Sequence, residues 1–472
     1  MISLDGRRLS TADIASASSG AAVEVMAVAR ERAAESHDFA TRASAERPVY
    51  GRTTGVGANR SEAVPDNGAH ALALLRSHAT SAGPGRSAER VRATLVVRLN
   101  QLAAGGSGAS PEVIDALTAM LDADALPQIR EFGNIGTGDI SALAAVALAL
   151  AGETSTSRPM PLRLAVGAHD ALPLISSNAA TIGDAALAVV GLKRLADAAV
   201  VVAALTFEAV DGNREAFAEA AEVATPFDGA REVCRRIRSL VPAARPAARI
   251  QDPFGLRVLP QVHGAFIDAL SRLDDVVTTM ANAPSENPVF LPGVGVAHHG
   301  GFHAAHLAQA LDAALSALAQ AADLTLARIS MLNEPALTGL PAFLGDGTPG
   351  ASGVMVVEYV AASLLATLRG LSHPSGDQGV TLSRGVEESA SFASQAAVRA
   401  IDALPVYRSL IACELVAGVR AVRMRGLDLG HSPLSQPLSM CDVLDRAVAD
   451  RDLSADLELA AGLAEVMADL GA

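Results

Sequence analysis

The chain repeats apolar residues at the spacing of amphipathic helices over most of its length. In residues 87–104, Val91, Leu95, Val96 and Leu99 fall on one face, which predicts a helix with one buried side. Such segments alternate with short loops rich in Gly and Pro, a pattern typical of a bundle of long helices. The other segments that the spacing predicts as helices are residues 69–83, 140–151, 186–221, 260–283, 303–330, 353–370, 387–403 and 405–423.

The N-terminal part is less regular. Roughly the first 35 residues are predicted to form a strand and a turn followed by a helix, and a segment punctuated by Gly and Pro runs from Pro48 to Gly57. We therefore predict an all-α protein, a long-helix bundle with a smaller mixed N-terminal region. We place one domain boundary near residue 200, which gives domains 1–200 and 201–472.

The composition supports this fold class and excludes one class of partner. Of the 472 residues, 50% are hydrophobic but only 3% are aromatic, and Trp is absent, so the core must be built from Ala, Leu and Val. These small side chains favour close helix-on-helix packing. The net charge of -14 and the lack of a basic cluster interleaved with aromatic residues argue against nucleic acid as a partner.

Signals for export, membrane insertion and disulfide bonding are weak. The N-terminus carries no uninterrupted apolar segment, and the most apolar later stretch, residues 186–205, is interrupted by Lys193, Arg194 and Asp197. The three cysteines lack CxxC spacing, which argues against a disulfide framework and a thiolate metal site. We predict a cytoplasmic protein with no membrane partner.

Residues 251–264 read QDPFGLRVLPQVHG, where a run of polar, ring and cationic residues interrupts the helical spacing. The run resembles the QDPYSLRxxPQVxG signature of the histidine and phenylalanine ammonia-lyase family. In that family the arginine binds the carboxylate of an amino-acid substrate, a task for which the planar guanidinium is well suited. The resemblance makes Arg257, Phe254 and Gln261 candidate substrate-binding residues, although Phe254 lacks the hydroxyl of the tyrosine in the signature. The alternative is an arginine that holds a loop by surface pairing.

A second motif, VYGRTTGVG at residues 49–57, is similar to the (V/I)YGxxTGFG loop of the same family. The tyrosine of that loop acts as the catalytic base, which makes Tyr50 a catalytic candidate and Gly57 a candidate for substrate binding. A phenol has a pKa near 10, so Tyr50 can act as a base only where nearby positive potential stabilises its phenolate. The alternative is a Gly-rich surface turn.

Further segments resemble the family in the same order along the chain. LLRSHA at residues 74–79 matches a helix that lines the substrate side-chain pocket, so His78 is either a substrate contact or a buried core histidine. The run at residues 332–344 is similar to L(M/N)xPxLSGLPPFL. Val386-Glu387-Glu388 resembles a QED motif in which Glu387 is kept, and we predict that Glu387 moves a proton. The resemblance extends from about Leu4 to beyond Ala400.

The segment FGNIGTGDISALA at residues 132–144 is where the family usually has GSVGASGDLAPLA. In the family, Ala-Ser-Gly cyclises to a methylideneimidazolone ring, an electrophile that activates the amine of the substrate for departure. Here Gly136, Thr137 and Gly138 occupy those positions. A ring made from threonine would carry a methyl group on the carbon that the substrate attacks. Ser176 stands where the family has an asparagine beside this ring.

The resemblance implies an enzyme of the ammonia-lyase type, and three alternatives stay open. The first, which we predict, lacks a normal ring and uses Tyr50 for elimination, isomerisation or cyclisation of a carboxylate-bearing substrate. The second is a true ammonia-lyase or 2,3-aminomutase with a ring derived from Thr137. The third is a non-catalytic helical scaffold.

The resemblance also implies an amino-acid-like small-molecule substrate and a homotetramer whose active sites combine more than one chain. Of the two predicted domains, the first, residues 1–200, would contain the Tyr loop and the Gly-Thr-Gly segment. Residues 201–472 would provide oligomerisation and carboxylate binding. We predict no cofactor other than the ring that Gly136-Thr137-Gly138 would form. We predict no metal, because the histidines near residue 300 lack carboxylates at matching spacing.

Overall fold

The computed structural model describes residues 1–241, 247–376, 379–430 and 432–470. Helix accounts for 61% of the residues and strand for 5%, which confirms the predicted all-α class. Two compact units are formed by interleaved stretches of chain. The first unit contains Met1–Val190, Leu273–Asp312 and Pro374–Ile401, and the second contains Gly191–Arg272, Ala313–His373 and Asp402–Ala472. The predicted boundary near residue 200 falls inside a helix, and the division into two contiguous domains stays a prediction.

The longer helices carry most of the chain. They span Thr11–Ser18, Ala27–Glu46, Gly68–His78, Ala88–Ala103, Pro111–Asp122, Ile140–Leu150, Ala179–Ala209, Asp228–Leu240, Leu259–Ala281, Ala305–Asn333, Met355–Leu371, Ala393–Met424 and Ser454–Met467. Shorter α-helices span Ala171–Ile175, Glu219–Ala224, Phe254–Arg257, Pro335–Thr338 and Ser435–Met440. The 3₁₀ turns span Gly57–Asn59, Arg214–Phe217, Ala342–Leu344, Ser383–Gly385, Cys441–Val443 and Ala468–Leu470.

The strands are short and pair two by two. Ile2–Leu4 runs parallel to Val23–Val25, which matches the mixed N-terminal region that the sequence predicts. The antiparallel pairs are Ala82–Gly85 with Arg130–Phe132, and Val289–Leu291 with Gly295–Ala297.

Several predicted helix limits are confirmed and others are too long, since the helix predicted at 186–221 ends at Ala209. The segments predicted at 87–104 and 140–151 are the helices Ala88–Ala103 and Ile140–Leu150. The helix predicted at 69–83 ends at His78, because the residues after it form the strand Ala82–Gly85. Strand pairing with a distant segment overrides the local helical spacing there.

The predicted break near residue 404 is wrong. One helix runs from Ala393 to Met424 with Pro405 in its interior, while residues before Ala393 belong to a loop. A proline removes one backbone donor, at a cost of about 3 kcal/mol. The buried apolar faces on both sides of Pro405 offset that cost, because helical stability in proteins comes mainly from packing.

The first unit is held together by buried ion pairs as well as by its apolar core. The Asp184 carboxylate is fully buried and accepts hydrogen bonds from Arg86 (2.7 Å) and Arg90 (2.8 Å). These contacts join the helix Ala88–Ala103 to the start of the helix Ala179–Ala209. Removing one partner of such a pair leaves a buried charge uncompensated, so the contact enforces one arrangement of the elements around the site.

Within the described ranges, none of the helices combines the length and apolar character needed to cross a bilayer. The cysteines Cys234, Cys413 and Cys441 are buried and free.

Candidate active site

A cavity of about 1050 Å³ lies in the first unit and gathers residues from five separate stretches of the chain. The predicted site residues that line it are Tyr50, Gly57, Thr137, Gly138, Ser176 and Glu387. Other lining residues are Arg60, Ile140, Leu172, Asn287, His298, His299, Phe302, His303, Glu388 and Ser389. Short motifs far apart in sequence therefore meet at one cavity.

The Tyr50 phenol is held by its own loop. The amide of Gly57 donates a hydrogen bond of 2.7 Å to the phenol oxygen, and the amide of Tyr50 donates one of 3.1 Å to Nε2 of His298. Gly57 has a φ of 56°, and a Cβ there would lie 2.8 Å from Oγ of Ser383. Glycine is required at this position because another residue would be strained and would also push Ser383 away.

The surroundings of Tyr50 favour the neutral phenol. Burial raises the pKa of Tyr50, and the Glu387 carboxylate adds to that rise. The Gly57 amide and the Arg60 guanidinium act in the opposite direction without prevailing. The positive potential that a tyrosine base requires is thus present only in part, and a cationic group on a substrate would add to it.

Hydrogen bonds to neighbouring elements hold the Gly-Thr-Gly segment in a bend at the wall of the cavity. Gly136 O accepts hydrogen bonds from Oγ of Ser391 (2.8 Å) and from the amide of Ala304 (3.1 Å). The amide of Gly138 donates to Oδ1 of Asn178 at 3.0 Å. Thr137, between them, lines the cavity, whereas Gly136 does not.

Asp139 anchors the helix that follows this segment. Its buried carboxylate accepts hydrogen bonds from the amide (2.7 Å) and the hydroxyl (2.8 Å) of Thr181. Burial raises the pKa of Asp139 to about 6. Asp139 is the N-cap residue of Ile140–Leu150, but its side chain does not cap that helix and bonds Thr181 instead.

Ser176 lies at the junction of the cavity wall with a network of amides and imidazoles. Its Oγ accepts a hydrogen bond from the amide of Asn287 (3.1 Å), and Oδ1 of Asn287 accepts one from the amide of His299 (2.9 Å). Nδ1 of His299 accepts from the amide of Gly301, so Nε2 carries the hydrogen and donates to the carbonyl of Glu286. These hydrogen bonds fix the orientation of the His299 ring.

Other polar residues of the cavity were not singled out as site residues from the sequence. His303 Nε2 contacts Oγ of Ser389 at 3.2 Å, and Arg60 brings a cation into the same space. Arg60 follows Gly57 within the same loop, and that proximity to the Tyr motif was the available signal. Ser389 carries no comparable signal.

His78, predicted to be either a substrate contact or a buried core histidine, does not line this cavity. Its Nδ1 lies 2.9 Å from the carbonyl of Leu74 and 2.9 Å from Oγ of Ser77. The His78 ring therefore contacts the last turn of its own helix, Gly68–His78.

Arg257, Phe254 and Gln261 belong to the second unit, and the first-unit cavity does not include them. The Arg257 guanidinium lies 4.7 Å from the centre of the Phe254 ring and donates a hydrogen bond to Gln251. Its Nε is buried without a hydrogen-bond partner among the described residues. No carboxylate in those residues forms an ion pair with Arg257, which leaves its charge available for an anion. Gln261 is exposed and donates to Thr225.

Comparison with known proteins agrees with the fold and the motifs. The family model for aromatic amino acid lyases matches residues 9–440. The chain is 33% identical to the histidine ammonia-lyase of Geobacillus thermodenitrificans over 93% of this chain and 91% of that one.

Solved structures give the same result. The tyrosine aminomutase of Streptomyces globisporus has a TM-score of 0.92 at 27% identity, covering 99% of this chain and 97% of that chain. The ergothionase of Treponema denticola has a TM-score of 0.93 at 24% identity, covering 99% of each chain, which shows a shared fold. With a family match over most of its length and lyases and aminomutases as relatives, this chain belongs to the aromatic amino acid lyase family and is a lyase-like enzyme.

Proposed function

We propose that the protein is a lyase that uses Tyr50 for proton transfer on a small carboxylate-bearing substrate, with Gly136-Thr137-Gly138 kept as an open peptide. The observation that carries this proposal is that Tyr50, Thr137 and Glu387 line one cavity. Elimination, isomerisation and cyclisation would all begin with the same proton abstraction by Tyr50.

The charges around the cavity suit an amino-acid-like zwitterion. Glu387 and Glu388 supply negative charge that would face the amine of the substrate, and Arg60 supplies a cation. A positively charged amine near Tyr50 would lower the pKa of the phenol, opposing the effect of Glu387. Binding of the substrate would thereby make Tyr50 a better base.

The carboxylate of the substrate would be bound by Arg257 of a neighbouring copy in a homotetramer. This proposal is supported by the Arg257 guanidinium, which forms no ion pair within the described residues and stacks on the Phe254 ring. Light scattering of the purified protein tests the tetramer, and a monomer would exclude this arrangement. The buried free cysteines suit the cytoplasmic location that we propose.

The hydrogen bonds around residues 136–138 support the open peptide. Ring closure would join the nitrogen of Gly138 to the carbonyl carbon of Gly136, and the Gly136 oxygen would leave as water with the amide hydrogens of Thr137 and Gly138. The Ser391 hydroxyl, the Ala304 amide and the Asn178 carbonyl oxygen would then lose their partners. Each buried polar group left unpaired costs about 1–3 kcal/mol. These three hydrogen bonds are the support for the proposal that the peptide stays open.

An open peptide also restricts the substrate. Ammonia is a poor leaving group without covalent activation, so the departing group must leave readily by itself or the reaction must be an isomerisation or cyclisation. In this reaction the Thr137 hydroxyl stays intact and serves as a hydrogen-bonding group for the substrate.

Intact mass and near-ultraviolet absorbance of the denatured protein test the proposal together. We expect the full mass of the encoded chain and no absorbance beyond that of its tyrosines. A mass lower by two waters, with a new near-ultraviolet band that Thr137→Val abolishes, would contradict the open peptide. Tyr50→Phe is expected to abolish turnover, and full activity of that variant would exclude Tyr50 as the base.

A second candidate function is ammonia elimination from L-histidine with a ring derived from Thr137. The observation that favours it is the 33% identity to a histidine ammonia-lyase over 93% of this chain. Incubation with L-histidine and measurement of released ammonia distinguishes the two candidates, because the open peptide predicts no release.

A further inference from the structure

A second, smaller cavity lies behind the wall of the one just described. It is lined by the polar residues Arg52, Ser107, Ser176, Glu286 and Asn287 together with apolar neighbours, and Ser176 and Asn287 also line the larger cavity. The volume of this second cavity that the centre of a water molecule can occupy is about 10 Å³. That volume suffices for about one water molecule.

Arg52 is a buried cation with unused donors. Arg52 is 3% exposed, and its Nη2 donates a hydrogen bond to the carbonyl of Gly108. The central carbon of its guanidinium, Cζ, lies 4.9 Å from the centre of the Phe290 ring. Within the described part of the chain, its Nε and Nη1 have no hydrogen-bond partner. Burying such donors unpaired costs about 1–3 kcal/mol each, so a partner is expected.

Glu286 offers the matching unused acceptor. It is 1% exposed, and its Oε1 accepts a hydrogen bond of 2.7 Å from Arg98. Its Oε2 is buried and has no partner among the described residues. A carboxylate facing the same small space disfavours an anion there, whereas water can accept from Arg52 and donate to Glu286.

The donors and acceptors balance for a single water. Its oxygen would accept from Nε and Nη1 of Arg52, and its hydrogens would be donated to Oε2 of Glu286 and Oγ of Ser176. Four such contacts are within the range that buried waters make. Every unpaired polar atom of Arg52 and Glu286 would then have a partner.

The water also determines where the Ser176 hydroxyl points. A serine oxygen accepts two hydrogen bonds and donates one. The amide of Asn287 already donates to Oγ at 3.1 Å, and the water would fill the second acceptor position. The hydroxyl hydrogen of Ser176 is then left to point into the larger cavity.

We propose that one water molecule is bound between Arg52 and Glu286 and fixes the Ser176 hydroxyl as a hydrogen-bond donor to an anionic oxygen of the substrate. Arg52 is therefore a positioning residue that acts through Ser176. The water site rests on the buried groups alone, whereas the role of Ser176 rests on the proposed function.

High-resolution crystal structures of the full chain and of Arg52→Met test the water site. Methionine keeps an apolar stem of similar length against Phe290 and removes the two donors. We expect one density peak within hydrogen-bond distance of Arg52, Glu286 and Ser176, and its loss in Arg52→Met. A dry cavity in the unmodified protein, or a peak unchanged in Arg52→Met, would overturn the proposal.

A double-mutant cycle tests the role of Ser176. Ser176→Ala should lower turnover roughly 100-fold, as removal of one fixed donor does. Arg52→Met should lower it by about 10-fold or more alone, as outer residues that orient a site do, and should have no further effect in Ser176→Ala. Additive effects of the two substitutions would contradict action through Ser176.

Two further variants separate positioning from folding. Arg52→Lys restores one donor and should recover part of the lost turnover. Arg32→Met removes a half-buried guanidinium that bonds the carbonyls of Asp5 and Ala103 and lines neither cavity, so it should leave turnover unchanged. A wild-type protein without turnover would count against the proposed function, and the density would still decide the water site.

Discussion

The hydroxyl of Ser391 occupies the place where a Cβ on Gly136 would lie, and it donates a 2.8 Å hydrogen bond to the carbonyl of that same residue. A Cβ at Gly136 would be 2.1 Å from Oγ of Ser391 and 2.8 Å from the amide of Ala393. Ser391, which is 255 positions from Gly136 in sequence, thus holds the first residue of the Gly-Thr-Gly segment in place.

Gly136→Ala is therefore expected to destabilise the protein. Besides the close contacts, Gly136 has a φ of 79°, which costs an L-residue about 1–2 kcal/mol. The midpoint of urea unfolding should fall. Gly300→Ala is the matched control, because no atom lies within 4 Å of the added Cβ, and it should shift the midpoint little. Equal midpoints for the two variants would refute the contact with Ser391.

The Tyr50 phenol should titrate above the ordinary tyrosine value of about 10. The chain has three tyrosines, so the difference in phenolate absorbance between the unmodified protein and Tyr50→Phe isolates this one. The rise comes first from burial and then from the Glu387 carboxylate. A Tyr50 that ionises near neutral pH in the free enzyme would show that the electrostatics described here are wrong.

Glu387→Gln should move the Tyr50 titration to lower pH. Removing a negative charge beside the phenol makes ionisation easier. Because a base must lose its proton before it acts, the limb of the rate profile that rises with pH and reports Tyr50 should also move to lower pH. Glu388→Gln is the matched control, since Glu388 lines the same cavity but is not among the groups that shift the pKa of Tyr50. A larger shift from Glu388→Gln would reverse this assignment.

His263 should make the protein less stable in acid. Its ring is fully buried in the second unit, where burial lowers its pKa from 6.5 to about 4. Below pH 6.5 the His263 ring of the unfolded chain binds a proton, whereas the ring in the folded state stays neutral until about pH 4. Stability is therefore lost as the pH falls through that window, by about 3 kcal/mol at most.

His263→Gln should flatten this dependence, because an amide can still donate to the carbonyl of Ala196 without titrating. Urea midpoints measured between pH 4 and 7 report the effect. His306→Gln, a substitution of an exposed histidine, should retain the slope of the unmodified protein. The same slope in both variants would mean that other groups cause the acid sensitivity.

Arg257→Lys should weaken binding of the substrate carboxylate without lowering stability. The guanidinium forms no ion pair within the described residues, so little structure depends on it, but an ammonium cannot offer two parallel donors or stack equally on Phe254. We expect KM to rise roughly 10–100-fold, a loss of about 1.4–2.7 kcal/mol. Arg235→Lys, at an exposed surface pair with Glu232, is the control. Unchanged KM in Arg257→Lys would exclude the carboxylate role.

Much of the candidate site could be predicted from the sequence because its motifs are short and local. Tyr50 and Gly57 lie within one loop, and Thr137 and Gly138 within one tripeptide. Residues such as Asn178 and Ser391 carry no local motif. They became recognisable only when the structure placed them against Gly138 and Gly136.

The helical class, the helix from residue 88 to 103 and the family followed from local order along the chain, since apolar spacing and motif sequence are properties of neighbouring residues. Three other features did not follow from local order: the continuation of a helix through Pro405, the raised pKa of Tyr50, and the burial of unpaired polar atoms on Arg52 and Glu286. Burial and electrostatic potential at a residue are set by groups that are distant in sequence. Only the tertiary structure brings those groups together, so only it decided the chemistry that the cavity can support.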